Sequence, residues 1–513
     1  LEYFLLSQNK SHNKDKIQMG EEIIVSVSPL ETRVAVVEQG LLQEIFIERV
    51  HARVTVGNIY QGKVSRILPG IQSAFVDIGQ EKAAFMHITD LIDPQFRFDS
   101  LTETSERKYP PIQDVLRDGQ SLMVQVTKEP ISTKGPRATS SVSIASRFLV
   151  YTPNSNHVGI SQRIEDEAER QRLSDLLATI CVPETSDGFI VRTACERASE
   201  EEILRDAELL REKWGKIQAQ GKLAKPATLV YEDLPMHLRA MRDIINRDTQ
   251  RILVDNRSVF GAMERFLTDF IPEKVENLEL VSLEVPLFDA HNLEDQIENA
   301  LDRNVLLKSG GYLVVDQTEA MTTVDVNTGA FVGKKDVDET IFRMNLEAAA
   351  AIPRQLRLRN IGGIVIIDFI DMINEEHKRQ VLRMLEKGQQ ADRVKWNIAE
   401  ISELGLVEMT RKRTQESLLR RICAPCAACN GRGFLKSPET VCLEIYREIQ
   451  RKFRRLYEKG CQVRASQSVI DRLLDEDSEN VSELSKMLKA DIRLQVETSY
   501  TQEQFDVVLS ITS

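Results

Sequence analysis

The sequence predicts a multidomain α/β protein that carries a small closed β-barrel near its N-terminus. Three observations predict it. The chain has 513 residues, 42% hydrophobic and 28% charged; it reads as soluble and folded, and it exceeds the ~250–300 residues at which a single core stops growing. Between Gly57 and about Ser146, short β-type runs are separated by glycines. From residue 310 to 368 the pattern runs strand, strand, helix, strand, the order of an α/β core.

Residues 1–19 carry a short apolar patch with basic residues after it rather than before it, which is not a secretory layout. They are set aside as a leader or upstream extension, with Met19 a candidate start. Residues 22–49 alternate as short strands with turns near Pro29 and Gly40. A hairpin this apolar needs a second layer to pack against.

In the barrel region, "GNIYQGKVSRILPGIQSAFVDIGQEKAAFMHI" and "GQSLMVQVTKE" flank a polar, Pro-rich insertion that ends near Pro111. Phe75 and Phe85 stand among Lys63, Arg66, Lys82 and Lys134. Either the rings fill the barrel core, or they face outward and stack on bases at ~1–3 kcal/mol each. "GNIYQGKV" matches seven places of a phosphate loop, but Val64 stands where a Mg²⁺-binding hydroxyl is needed and no helix follows. "GAFVGKK" at 329–335 fails in the same way.

Strands at 147–160 and 188–194 flank the helical "RIEDEAERQRLSDLLATI", and a second helix, 199–219, begins at Ser199 with acids in its first turn. Arg192 and Thr193 close an apolar strand. A guanidinium beside a hydroxyl suits a phosphate clamp, or equally an ordinary surface pair. Mostly helical sequence then runs to about 305, broken by "RILVDN".

The runs "GGYLVVD" and "GGIVIID" share two glycines, four apolar residues and an aspartate. In "TTVDVN", Val324 and Val326 share one face, so Thr323, Asp325 and Asn327 share the other. Asp368 approaches from a neighbouring strand. Two carboxylates and an amide, without histidine, suit Mg²⁺ and disfavour a zinc hydrolase or histidine nuclease. The bland reading is aspartates capping turns after strands.

The net charge of −12 argues weakly against a chain coated in nucleic acid. Basic clusters remain at Arg354, Arg357 and Arg359, and at Arg411, Lys412, Arg413, Arg420 and Arg421. They read as solvated helix faces or as basic grooves on an acidic body that must release a polyanion. No run approaches the ~18 apolar residues of a membrane span.

Seven cysteines, three of them in "CAPCAACNGRG", point to a metal site in a reducing compartment, not a disulfide framework. Cys426 and Cys429 have zinc spacing, with Gly431 and Gly433 forming the knuckle. Two further ligands are needed: Cys423 with a distant residue such as Cys442, or a second pair from another chain.

"DQTEAMTTVDVNTGAFVG", "NLEAAAAIPRQLRLRNIGGIVIIDFIDM", "LGLVEMTRKR" and "CAACNGRG" together resemble the bacterial ribonuclease E/G family, in that family's order and over nearly the whole chain from Met19. With no long tail after the cysteines, the likeness is closest to the ribonuclease G branch. The resemblance implies a Mg²⁺-dependent, single-strand-specific endoribonuclease of the cytoplasm. It cuts AU-rich RNA, is stimulated by a 5′-monophosphate, and acts in rRNA 5′-end maturation and mRNA decay. It also implies an RNase H-like scaffold (20–56 and 236–300), an S1 RNA-binding barrel (57–146), a 5′-sensor domain (147–235), a DNase I-like catalytic domain (301–418), a zinc-link (419–435) and a small C-terminal α/β domain (436–513). By the family motif, Asp325 and Asp368 hold Mg²⁺ and Asn327 contacts the scissile region. Phe75 and Phe85 hold RNA, with the nearby Lys134 expected to join them; Arg192 and Thr193 read the terminal phosphate, and one Zn²⁺ on Cys426 and Cys429 is shared across a homodimer.

Two positions depart from the family pattern. Pro353 interrupts a helical segment and implies a kink near the basic face. Lys395 stands where an arginine approaches the 5′-phosphate pocket, and lysine lacks the bidentate fork. The rival expectation is a non-catalytic RNA-binding assembly protein built on the barrel.

Overall fold

The computed structural model describes residues 20–49, 56–91, 109–130, 134–155, 158–181, 187–196, 198–329, 337–402, 404–453 and 460–509. The expectations for residues 1–19 and for most of the Pro-rich insertion lie outside the described residues. The chain divides into two compact units after Arg421.

Within the first unit, three strands from the start of the chain, Glu21–Val27, Glu31–Glu38 and Leu41–Arg49, form an antiparallel meander. Its continuation comes from far along the chain. Glu21–Val27 pairs in parallel with Thr249–Val254, which pairs in parallel with Leu278–Leu280. The two halves of one sheet are therefore separated in sequence by nearly two hundred residues, about one for each position from 50 to 248. The apolar face of that sheet is closed by the helices Met236–Asp243 and Arg257–Phe270.

The barrel is closed. Ile59–Leu68, Ser73–Asp77, Ala84–His87, Arg137–Thr139 and Ser121–Lys128 follow one another, and the last pairs back onto the first. "GNIYQGKV" lies largely in the first of these strands, so it forms ladder hydrogen bonds rather than a phosphate cradle. Alternation sends Tyr60, Val76, Ala84, Met86 and Val124 inward.

The segment from Ile144 to Val191 forms a four-stranded sheet covered by the helices Glu167–Ile180 and Glu200–Leu223. The second helix starts where its cap dictates. Ser199 Oγ accepts from Glu202 N–H at 3.3 Å, and the Glu202 carboxylate accepts from Ser199 N–H at 2.9 Å.

The last sheet of this unit runs in the order Asn304–Leu306, Tyr312–Gln317, Met321–Asn327, Gly363–Asp368, Leu406–Arg411, Trp396–Ile401. Among these strands only Met321–Asn327 and Gly363–Asp368 pair in parallel, joined by the crossover helix Val337–Leu358. That helix and Glu375–Gln390 cover one face over Val324, Val326, Val365, Ile367 and Trp396. The other face keeps its polar side chains exposed.

The helix runs unbroken across Pro353, from Val337 to Leu358, so the proline does not interrupt the segment. Packing explains why the proline is tolerated: a Cβ at Gly388 on the neighbouring helix would lie 2.3 Å from Pro353 Cγ, so the missing side chain at 388 makes room for the ring. The arginines after it form neither a solvated face nor a groove. Arg357 and Arg359 are buried. Arg354 Nε donates to the Leu42 carbonyl at 3.0 Å, Arg357 Nη2 to Gln43 Oε1 at 2.7 Å and Arg359 Nη1 to the Asp302 carbonyl at 2.7 Å. Arginine's several donors serve here to satisfy oxygen acceptors at a seam between elements.

The second unit holds the helices Pro438–Phe453, Gln467–Leu474 and Ser478–Leu488 around a sheet ordered Asp491–Val496, Gly460–Ala465, Phe505–Leu509. Among the described residues, no helix is long and apolar enough to cross a membrane.

Candidate active site

Strand periodicity places Val324 and Val326 in the core and leaves Thr323 and Asp325 exposed, with Asn327 half-buried beside them. Asp325 and Asp368 are register partners across the parallel pair. Partners in adjacent strands lie about 4.8 Å apart at Cα and project to the same side of the sheet. Asn327 Nδ2 donates to Asp325 Oδ2 at 2.9 Å. The three residues expected to form one site are thus neighbours on one open face.

Register extends that face into rows. Val314, Asp325, Asp368 and Leu406 lie side by side, and the next row is Asp316, Thr323, Ile366 and Glu408. Asp371 adds a further carboxylate just past the strand end. Burial, then the charges of Asp325 and Asp371, raise the Asp368 carboxyl above its usual range. A bound cation relieves that repulsion. Among the described residues, no group of three or more His, Cys, Asp or Glu side chains converges as a metal cage. Two carboxylates and an amide, all with oxygen donors, still fit Mg²⁺, which keeps several waters and uses one or two carboxylates.

The strand carrying Asp368 is held at its exit by a residue that periodicity alone did not single out. Asn345, fully buried on the crossover helix, donates from Nδ2 to the Ile370 carbonyl at 2.7 Å and accepts Ile370 N–H on Oδ1 at 3.1 Å. One amide side chain thereby fixes the backbone between Asp368 and Asp371. The only signal in the sequence was a polar residue on the apolar stripe of that helix, at the head of "NLEAAAAI".

Phe75 and Phe85 are cross-strand partners, with ring centroids 5.9 Å apart in an edge-to-face arrangement. Both are half-buried and neither belongs to the barrel core. Arg66 is the register partner of Phe75, and Arg137 that of Phe85. The barrel thus bears a strip of cation, ring, ring, cation. Arg137 is aimed by Asp90, which accepts from its Nε and Nη2 at 3.0 Å each. Lys134 is exposed on the segment leading into Arg137. The place of Arg137 in the strip was illegible because pairing between strands is not written in local spacing.

Arg192 is not free to act as a bare clamp. Its Nη2 donates to Asp243 Oδ1 at 2.6 Å, and its Nη1 to the Ser146 carbonyl. Thr193 beside it is exposed. Lys395 is exposed on the loop after Asp392, whose neighbour Arg393 donates to the Ile244 carbonyl at 3.4 Å, one residue past Asp243. That loop is anchored by the buried Asp392, which accepts from Arg411 Nε and from Trp396 Nε1 at 2.7 Å each.

In the second unit, Asn430, Gly431 and Gly433 all have φ between 50° and 82°, which turns the chain tightly after Cys429. Gly433 N–H donates to Cys429 Sγ at 3.3 Å. Backbone hydrogen bonds from Cys429 and Ala428, then the Cys429 side chain, lower the Cys426 thiol pKa. This is a knuckle whose two thiols fit half of a tetrahedral zinc shell. Cys442 lies in the core of the unit, its thiol pushed up to about 11, chiefly by burial.

The profile of a family described as the Ribonuclease E/G family matches residues 143–414, and one described as RNase E/G, Thioredoxin-like domain matches residues 425–510. The chain is 48% identical over 491 residues to Ribonuclease G of Escherichia coli (strain K12), an alignment covering 96% of this chain and 100% of that protein. Against Ribonuclease G of Haemophilus influenzae the identity is 46% over 489 residues, covering 95% and 99%. Ribonuclease E of Escherichia coli (strain K12) is 36% identical over 434 residues, 84% of this chain and 40% of that longer protein.

Proposed function

The chain belongs to the ribonuclease E/G family, and we propose that it is a Mg²⁺-dependent, single-strand-specific endoribonuclease that cuts AU-rich RNA and responds to a 5′-monophosphate. The observation that carries the reading is the register pairing of Asp325 with Asp368 on an open sheet face, with Asn327 tied to Asp325. When bound there, Mg²⁺ supplies positive charge at the scissile phosphate and a water of lowered pKa.

The chain's own residues do the rest. Asp325 and Asp368 hold the cation at one edge of the face, and Asn327 points its amide along the same strip to orient the phosphodiester. Hydrolysis leaves a 5′-phosphate and a 3′-hydroxyl. Phe75 and Phe85, flanked by Arg66, Arg137 and Lys134, stack unpaired bases, which supports a requirement for single strands, since paired bases cannot splay onto rings. Arg192 and Thr193, with Lys395 nearby, read the 5′ end.

On this reading the meander and its distant parallel strands correspond to an RNase H-like scaffold, the barrel to an S1 domain, residues 147–235 to a 5′-sensor and residues 301–418 to a DNase I-like catalytic domain. The thiol pair Cys426 and Cys429 supplies two of zinc's four ligands, which favours a homodimer joined by one shared Zn²⁺. Ribosomal RNA 5′-end maturation and mRNA decay are the processes such an enzyme serves.

The test is cleavage of a 5′-monophosphorylated single-stranded RNA oligonucleotide with Mg²⁺ or with chelator. Cleavage that depends on Mg²⁺ and disappears in Asp325→Ala is expected. Normal turnover by that variant, or RNA binding without cleavage by the unaltered chain, refutes the reading.

A further inference from the structure

The structure points to Asp243 as the residue that sets how strictly the Arg192 site selects a terminal phosphomonoester, by competing for the Arg192 guanidinium until the phosphate displaces it. This rests on the reading that Arg192 and Thr193 bind the RNA 5′-phosphate. Arg192 Nη2 already donates to Asp243 Oδ1 at 2.6 Å, so an incoming anion meets a guanidinium already shared with a carboxylate and competes with it for that charge. An unphosphorylated 5′-hydroxyl brings no charge for that exchange. A terminal phosphate brings about −1.5 to −2 at neutral pH and three acceptor oxygens.

The exchange is feasible because Asp243 is held twice. Arg242 donates to it from Nε at 3.0 Å and from Nη2 at 2.9 Å, a two-pronged grip on both carboxylate oxygens. The Arg242 side chain is itself only 8% exposed and is steadied by the Ala145 carbonyl at 3.2 Å and by Asp233 at 3.6 Å. When Arg192 leaves, Asp243 therefore keeps a full counter-charge in Arg242. Against the opposing effect of burial, the two arginines hold the Asp243 carboxyl below its usual range, so it competes as the anion. The other nearby carboxylate, Asp206, does not play this part: Ser146 Oγ and the Leu149 N–H, the latter at 3.1 Å, already occupy it.

Two adjacent substitutions separate this role from a purely architectural one. The readout is the ratio of kcat/KM for a 5′-monophosphorylated over a 5′-hydroxyl RNA oligonucleotide, measured with the full chain, together with whether the change appears in KM or kcat. Asp243→Asn weakens the competitor, so the ratio is expected to rise about fivefold or more through KM. Arg242→Gln leaves Asp243 dependent on Arg192 alone, so the ratio is expected to fall. If the Arg242 variant does not fold, Asp243→Asn decides alone. An unchanged or lowered ratio in Asp243→Asn overturns the inference while the phosphate reading stands, provided Arg192→Ala abolishes the preference. A preference that survives Arg192→Ala overturns both.

Discussion

Asp325 and Asp368 lie 43 positions apart in the chain and stand as direct partners in the parallel step of their sheet. That step exists because a crossover helix of 22 residues connects the two strands. Two carboxylates gripping one ion act as a unit, so their losses do not add. Either Asp325→Ala or Asp368→Asn is expected to lower kcat by about 10²–10³-fold, the several kcal/mol of charge stabilisation a metal provides. The double variant is expected to be no slower than the worse single one. Multiplying losses in steady-state cleavage assays would show that the two acids serve separate purposes.

The barrel strip predicts a different kinetic signature. Phe75→Ala removes one stacking surface and uncouples the edge-to-face pair with Phe85, at a cost of about 1–3 kcal/mol in RNA affinity. The change is expected in KM for single-stranded RNA, with kcat nearly unaltered. Fluorescence anisotropy with a labelled oligonucleotide checks it directly. Equal binding by the variant would place the rings outside the RNA path.

Asn345 links packing to the site. In Asn345→Ala the Ile370 N–H and carbonyl lose their partners in a partly buried setting, which costs about 1 kcal/mol or more of stability. The backbone between Asp368 and Asp371 loosens as well. Half-saturating Mg²⁺ for cleavage is therefore expected to rise along with the drop in unfolding midpoint. A variant that loses stability but keeps its Mg²⁺ dependence would confine Asn345 to architecture.

His237 predicts an acid sensitivity of the scaffold. Burial lowers its pKa below the usual 6.5. The unfolded chain therefore takes up a proton that the folded chain refuses, so this contribution is intact above about pH 6.5 and is lost as pH falls through the folded value. The denaturation midpoint is expected to decline below about pH 6.5, and His237→Gln to flatten that decline. Matching pH profiles for the two proteins would contradict it.

Residues legible in advance were those governed by local periodicity and local chemistry. Alternation placed Val324 and Val326 opposite Asp325 and Asn327. The Ser199 and Glu202 pair marked a helix start, and Gly431 and Gly433 marked the turn behind the cysteines. The arginines at 354, 357 and 359 misled for a physical reason: charge is read as exposed by default, yet a guanidinium with several donors can be buried wherever carbonyls need partners.

Local order along the chain was enough to define the elements, the outward or inward sense of side chains along each strand, and the two acids, the ring pair and the thiol pair as the candidates for the chemistry. These depend on periods of 2.0 and 3.6 residues and on neighbours a few positions apart. Folding in three dimensions added that Arg137 joins the aromatic strip, that Asn345 braces the exit from Asp368, that Cys442 is core and that Asp243 already occupies Arg192. Such facts follow from which distant segments become adjacent. The Asn345 brace closes 25 positions of chain and the Arg192 pair 51, spans over which register and packing decide the partner and no local pattern does.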